Sequence, residues 1–324
     1  MRNRSFAVIR SSVLVFAACS LAPGIVGGQT TAVPRHPDGR PDLSGVWNFS
    51  TATPMQRPEE LADKEVLTSE EAAEYEQQVA ERRAAGDSTS ETASAESRVS
   101  YEQAIWFEQG HELADRRTSL VVDPPNGRIP AQTPASERRG AARRDVRAGA
   151  PDGPEDRNNA ERCLMGFNSG PPMTPSAYNN NVQLFQTSDH LVMLNEMVHN
   201  ARVVPLDGRP HLPSDVRQWA GDARARWDGD TLVVETTNFL RETSLAGSSA
   251  NLNLVERFTR MSADMLRYVF TVTDPTSFEE PWTAEVHMSR IDEPLYEYAC
   301  HEGNYSMATA LSGARVLDAQ TDGQ

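Results

Sequence analysis

From Val182 to His301 the chain is a succession of short β-branched and aromatic runs separated by tight-turn residues, and no other feature constrains the fold as strongly. The runs are "VQLFQ", "HLVMLNEMV", "ARVVPL", "ARARW", "TLVVETTNF", "NLVERFTRM", "MLRYVFTVT", "WTAEVHMSRI" and "YEYACH". Between them stand "TSD", "LDGRP", "DGD", "SAD" and "DPTS". Connections this short leave no room for a helical crossover, so neighbouring strands must run antiparallel, as a meander. A sheet of that many strands is expected to close into a barrel or stack as a sandwich, which removes its open edges. The expected fold is mainly β: an antiparallel meander closing into a barrel, with N-terminal helices and a short C-terminal helix over "NYSMATALSGARVL".

Upstream of the meander, "PDGRPDLSGVWNFS" is an extended lead into a short strand that anchors Trp47 in a core. "LTSEEAAEYEQQVAERRAAG" predicts a helix, with Thr68 and Glu71 as a capping box and Gly86 as its stop. "DSTSETASAES" is small and polar, a flexible connector. "RTSLVVDPPNGRIP" has the turn chemistry of a hairpin, and "PASERRGAARRDVRAG" carries a weak helical period. "APDGPEDRNN" and "SGPPMTPSAYNNN" are loops, the second a candidate lid. The division expected is a signal peptide at 1–30, a strand, helical and looped layer at 31–150, and the barrel with its C-terminal helix at 151–324.

The basic start at Arg2, Arg4 and Arg10, the apolar "VLVFAAC" and the small residues after it read as a secretory signal peptide. The competing reading lipidates Cys19. No later segment is apolar enough to be transmembrane. After export, Cys163 and Cys300 remain, and an oxidising compartment allows them to pair. Closing so long a loop contributes at most about 5 kcal/mol in the chain-entropy model. The net charge of -15 argues against nucleic acid, whose phosphates need a basic surface.

The motifs "PDLSGVW", "RTSLVVDPPNGRIP", "NEMVHNARVVPLDGRPH", "DGDTLVVETTNF" and "YEYACHEGNY" together resemble a family of exported proteins of environmental bacteria. That resemblance covers almost the whole mature chain and implies export, but it brings no chemistry with it. Gly45-x-Trp47 on a first strand is also similar to the opening motif of lipocalin-like barrels, which implies a cavity for small apolar ligands. The long insert after Trp47 departs from that pattern. So does the absence of an assignable Arg over the Trp, for which Arg290 and Arg315 are candidates.

Three places carry possible chemistry. In the stretch Asn195–His211, Glu196 and His199 lie beside apolar residues of both parities, so Glu196 is expected out of water and in need of a partner, from Arg202, His199 or a neighbouring strand. A Glu–Arg pair that only fixes register is the competing account. Leu252, Leu254, Glu256 and Phe258 share one strand face, so Glu256 interrupts an apolar row. "CHEGNY" holds His301 next to the expected disulfide. The candidate acid–base set is Glu196, His199 and His301, and the candidate ligand contacts are Arg202, Arg209, His211, Glu256, Tyr268 and His287. No metal-ligand spacing, nucleophile elbow or phosphate loop is present, so neither metal nor cofactor is expected. The function expected is the handling of a small, partly apolar molecule in the barrel cavity. The rival is a lyase, isomerase or hydrolase using a Glu/His pair.

Overall fold

The structure is a computed structural model that describes residues 33–91, 110–113, 115–243, 245 and 247–322. The expected signal peptide and most of the polar connector lie outside the described residues. Among the described residues the chain forms one ten-stranded antiparallel sheet and three α-helices. The strands are β1 (Gly45–Asn48), β2 (Val121–Asp123), β3 (Asn181–Gln186), β4 (His190–Asn195), β5 (Ala201–Pro205), β6 (Asp222–Asp228), β7 (Thr231–Thr237), β8 (Asn253–Arg260), β9 (Met265–Thr273) and β10 (Trp282–Ile291). The helices are α1 (Ser69–Glu91), α2 (Pro134–Ala148) and α3 (Tyr305–Asp322).

The strand order is β5-β4-β3-β1-β10-β9-β8-β7-β6, with β2 also on β10. Two meanders, β3–β5 and β6–β10, are therefore joined through β1. Trp47 pairs with Val182 on one side and Arg290 on the other. The two edge strands, β5 and β6, approach one another, but no hydrogen-bonded ladder joins them, so the sheet is strongly curled and not closed.

Strand alternation decides what fills the concave side. Trp47, Val182, Leu184, Leu191, Met193, Leu254, Phe258, Tyr268, Phe270, Trp282, Ala284 and Val286 all point inward and belong to one buried cluster. Trp47 is wholly buried. Its indole Nε1 donates to Leu43 O at 2.9 Å, and the Arg260 guanidinium lies 4.9 Å over its ring. Arg260 is held in place by the carbonyls of Asp42, Ser262 and Ala263. The Arg over the Trp thus comes from the end of β8. Arg290 only neighbours Trp47 in register, and Arg315 bonds Pro151 and Asp152 from α3.

Several local expectations change. The capping box holds, with Glu71 N donating to Thr68 Oγ1 and Thr68 N to Glu71 Oε2, but α1 continues past Gly86 to Glu91. A helical glycine costs only about 1 kcal/mol, and no proline follows to end the helix. The connector's first residues, Asp87–Glu91, are therefore helical. β2 pairs with β10, not with the returning arm of its own turn, whose Ile129 N–H is taken by Gln56 Oε1. "YEYACH" is not a strand: from Asp292 to Asn304 the chain is an irregular strap.

The loop from Leu164 to Asn180 is a plug. Met173 is fully buried in the core cluster, and its backbone N–H donates to Tyr268 Oη at 3.1 Å. Gly170, with φ 77°, sits where a Cβ would meet the Pro172 carbonyl carbon at 2.5 Å, so no other residue fits this bend. A disulfide between Cys163 and Cys300 ties the start of the plug to the strap.

Replacing Trp47 by Ala is expected to cost about 3–5 kcal/mol in denaturant unfolding, because a fully enclosed indole leaves a void that the sheet cannot collapse. A loss under about 1 kcal/mol would contradict its role as the core anchor.

Candidate functional site

The candidate residues fall into separate places. Arg202, Glu256 and Tyr268 meet inside the curl of the sheet. Arg202 Nη1 and Nη2 donate to Glu256 Oε2 and Oε1 at 2.7 and 2.9 Å, a bidentate pair, and Tyr268 Oη donates to Glu256 Oε1 at 2.7 Å. Glu256 is completely inaccessible and Arg202 nearly so. Burial by itself would lower the Arg202 pKa, but the Glu256 carboxylate outweighs it and the net displacement is upward. Burial first, and then the Glu256 charge, hold the Tyr268 hydroxyl well above its usual range, so it stays a donor. Arg202 is therefore the partner of Glu256 and not of Glu196.

Glu196 stands just beyond β4, at the start of the turn to β5. Its Oε2 accepts from Asn181 Nδ2 at 2.8 Å, and Asn181 Oδ1 accepts from Asn48 Nδ2 at 2.7 Å, a polar row across the outer side of β1 and β3. Behind Glu196 the turn is strained. Val198 has φ 63° and His199 φ 49°, and a β-branched residue in that left-handed region costs on the order of 1–3 kcal/mol. Packing enforces the shape: Met197 is buried so close to Gly166 that a Cβ there would meet its Cγ at 2.3 Å. The Asn200 side chain also donates to Gly170 O in the plug.

His199 Nε2 accepts the Tyr298 backbone N–H at 2.8 Å, which docks the strap against the turn. Nε2 is then the lone-pair nitrogen, and Nδ1 carries the ring proton. Turn, strands and strap enclose an open groove of about 330 Å³ lined by Gln183, Leu194, Glu196, His199, Leu295, Tyr296 and Glu297. Beside it the outer face of the sheet bears an apolar row, Phe185–Val192–Val203, paired across β3, β4 and β5; Phe185 is 44% and Val203 63% exposed.

The other candidates lie elsewhere. Arg209 is exposed in a turn and pairs with Asp207, whose carboxyl its hydrogen bonds help bring down to about 2. His211 Nδ1 lies 3.0 Å from Asp222 Oδ2. Burial pushes the Asp222 carboxyl up, but the Leu212 N–H, His211 and Arg224 outweigh it and the net shift is downward. His301 is exposed in the turn before α3 and does not line the groove. His287 projects from the outer face of β10, with Nε2 2.9 Å from Glu285 Oε1. Asp115, Glu285 and His287 offer ligand atoms within 4.8 Å of one another, as a metal site would, but the Arg117 guanidinium already pairs with both carboxylates.

Residue types alone did not reveal Asn181, Gln183, Leu295, Tyr296 and Glu297. The outward parity of Gln183 and Leu194 was the one available signal for the groove wall. Tyr296 and Glu297 open "YEYACH", whose alternation reads as a strand and so gives no sign of the strap.

Removing one member of the inner pair strands a buried charge. Glu256→Gln is expected to cost about 3–5 kcal/mol of unfolding free energy, and a double Arg202→Met, Glu256→Leu variant to recover most of it. A single-variant loss below about 1 kcal/mol would show that the pair does not hold the fold. No family model matches the chain, and no curated protein matches it as a relative.

Proposed function

We propose that this is an exported protein, with a lipocalin-like curl of sheet, that binds a small, partly apolar molecule in the groove beside Glu196. The observation that carries this reading is Glu196 itself. It is a carboxylate only 5% exposed, yet it lines an open groove, and no described residue donates to its Oε1. Asn181 takes Oε2, so Oε1 is the oxygen left to meet a ligand from the groove.

The groove is preferred over the hollow of the sheet because aromatic side chains, Met173 and the Arg202–Glu256 pair occupy that hollow. Leu194, Leu295 and Tyr296 supply the apolar wall, and the Phe185–Val192–Val203 row extends it. The disulfide between Cys163 and Cys300 supports an oxidising compartment, in line with export. Acid–base chemistry with His199 is less well supported, because its accepting nitrogen is already taken by the Tyr298 N–H.

Glu196→Gln keeps the shape and the bond from Asn181 while removing the charge. It is expected to leave the melting temperature nearly unchanged and to weaken ligand binding tenfold or more, about 1.4 kcal/mol. NMR titration with small aromatic probes should shift the resonances of Leu194, His199 and Tyr296. Shifts confined to inward methyls such as Leu254 and Val286 would instead put the ligand inside the sheet and sink the groove reading.

A further inference from the structure

We infer that the molecule taken by this groove is an organic cation, an ammonium or amidinium group on a flat apolar body. The inference rests on the groove reading above and adds the charge of the ligand to it. The groove lining contains two carboxylates, Glu196 and Glu297, and neither Lys nor Arg. His199, the one basic side chain in it, faces the strap with its lone pair engaged by a backbone N–H.

The charge continues past the rim. A second groove of about 520 Å³, around Cys300, shares Glu297 and adds Glu161 and Glu302, again with no cationic lining residue. An anionic ligand would meet like charge from both sides with nothing to offset it.

Acidic side chains alone are ordinary surface, so the weight falls on Glu196 and Tyr296. Glu196 is nine-tenths buried, and its Oε1 is without a hydrogen-bond donor among the described residues. The donor that fits Oε1 best also carries positive charge, since a charge-assisted bond to a carboxylate is roughly twice as strong as a neutral one. Tyr296 is 68% exposed at the rim, and an aromatic face beside carboxylates is the arrangement that attracts a cation through its quadrupole. Leu194 and Leu295 accept the apolar part. The protein's overall charge of -15 further concentrates cations at its surface.

The test is a calorimetric and NMR titration of the full mature chain with three probes of one shape: 2-phenylethylammonium, 2-phenylethanol and phenylacetate. The cation is expected to bind at least tenfold tighter than the alcohol, with shifts at Tyr296 and Leu194, and phenylacetate not at all. Added salt should weaken the cation and leave the alcohol unchanged. Glu196→Gln should remove the cation's advantage over the alcohol. Glu297→Gln, at an exposed position, should reduce the advantage severalfold, and it serves if Glu196→Gln does not fold. Equal binding of cation and alcohol with shifts at Tyr296 would overturn the inference and leave the groove reading standing. So would a preference for phenylacetate. Absence of any shift at the groove with all three probes would overturn both.

Discussion

The curl of the sheet depends on Arg202 and Glu256. Strands β5 and β6 end the sheet on either side of a seam that no backbone hydrogen bonds cross. Arg202 projects inward from β5, an edge strand, and reaches Glu256 on β8, two strands in from the opposite edge. The bidentate pair thus bridges the seam from within, where a ladder would otherwise do so. Two desolvated ions are expensive, and the pair persists because the Glu256 carboxylate is fully supplied, by two guanidinium N–H groups and the Tyr268 hydroxyl, even though the buried Arg202 Nε finds no acceptor among the described residues. An apolar pair could fill the same volume but would not dictate which residue of β5 faces β8. Here the directional geometry of the fork sets that register.

The candidate groove stands on the same interaction at one remove. Glu256 holds Tyr268, Tyr268 takes the backbone N–H of Met173, and the plug that carries Met173 packs Gly166 under Met197 and receives the side chain of Asn200. Those contacts hold Val198 and His199 in their left-handed conformation and so aim Glu196 outward. The strap then docks through the Tyr298 N–H on His199, while the disulfide fixes its far end to the start of the plug. A strained turn on the surface is affordable only because packed elements on two sides over-determine it.

Much of the sheet could be read from the sequence because strand alternation and turn residues are local. The grouping of Leu254, Glu256 and Phe258 on one strand face, that of Trp282, Ala284, Val286 and Met288 on another, and the Thr68–Glu71 cap all follow from spacing alone, whereas which face turns inward does not. Glu256 was legible as a polar interruption, but its partner was not, since Arg202 lies across a seam that only the curl brings together. The same limit hid Arg260 over Trp47, which depends on β1 being inserted between two meanders. For the site, Glu196 and His199 stood out as charges in an apolar stretch. The groove that gives them a setting needs the strap, whose "YEYACH" alternates like a strand but starts beyond Pro294, pinned by Cys300 and lying outside the sheet.

The position of β1 has a bearing on how the chain can be made. Val46 pairs with Gln183 on one side and with Ile291 on the other, so β1 waits for a strand that leaves the ribosome much later. During synthesis β3–β5 and β6–β9 can zip up as local hairpins, but they remain two unconnected ribbons with their apolar faces exposed until β10 is released. Contacts this distant in sequence slow the search for the native state. The two meanders are joined into one sheet only after β10 has been delivered, and any chain ending before β10 leaves one edge of β1 unpaired.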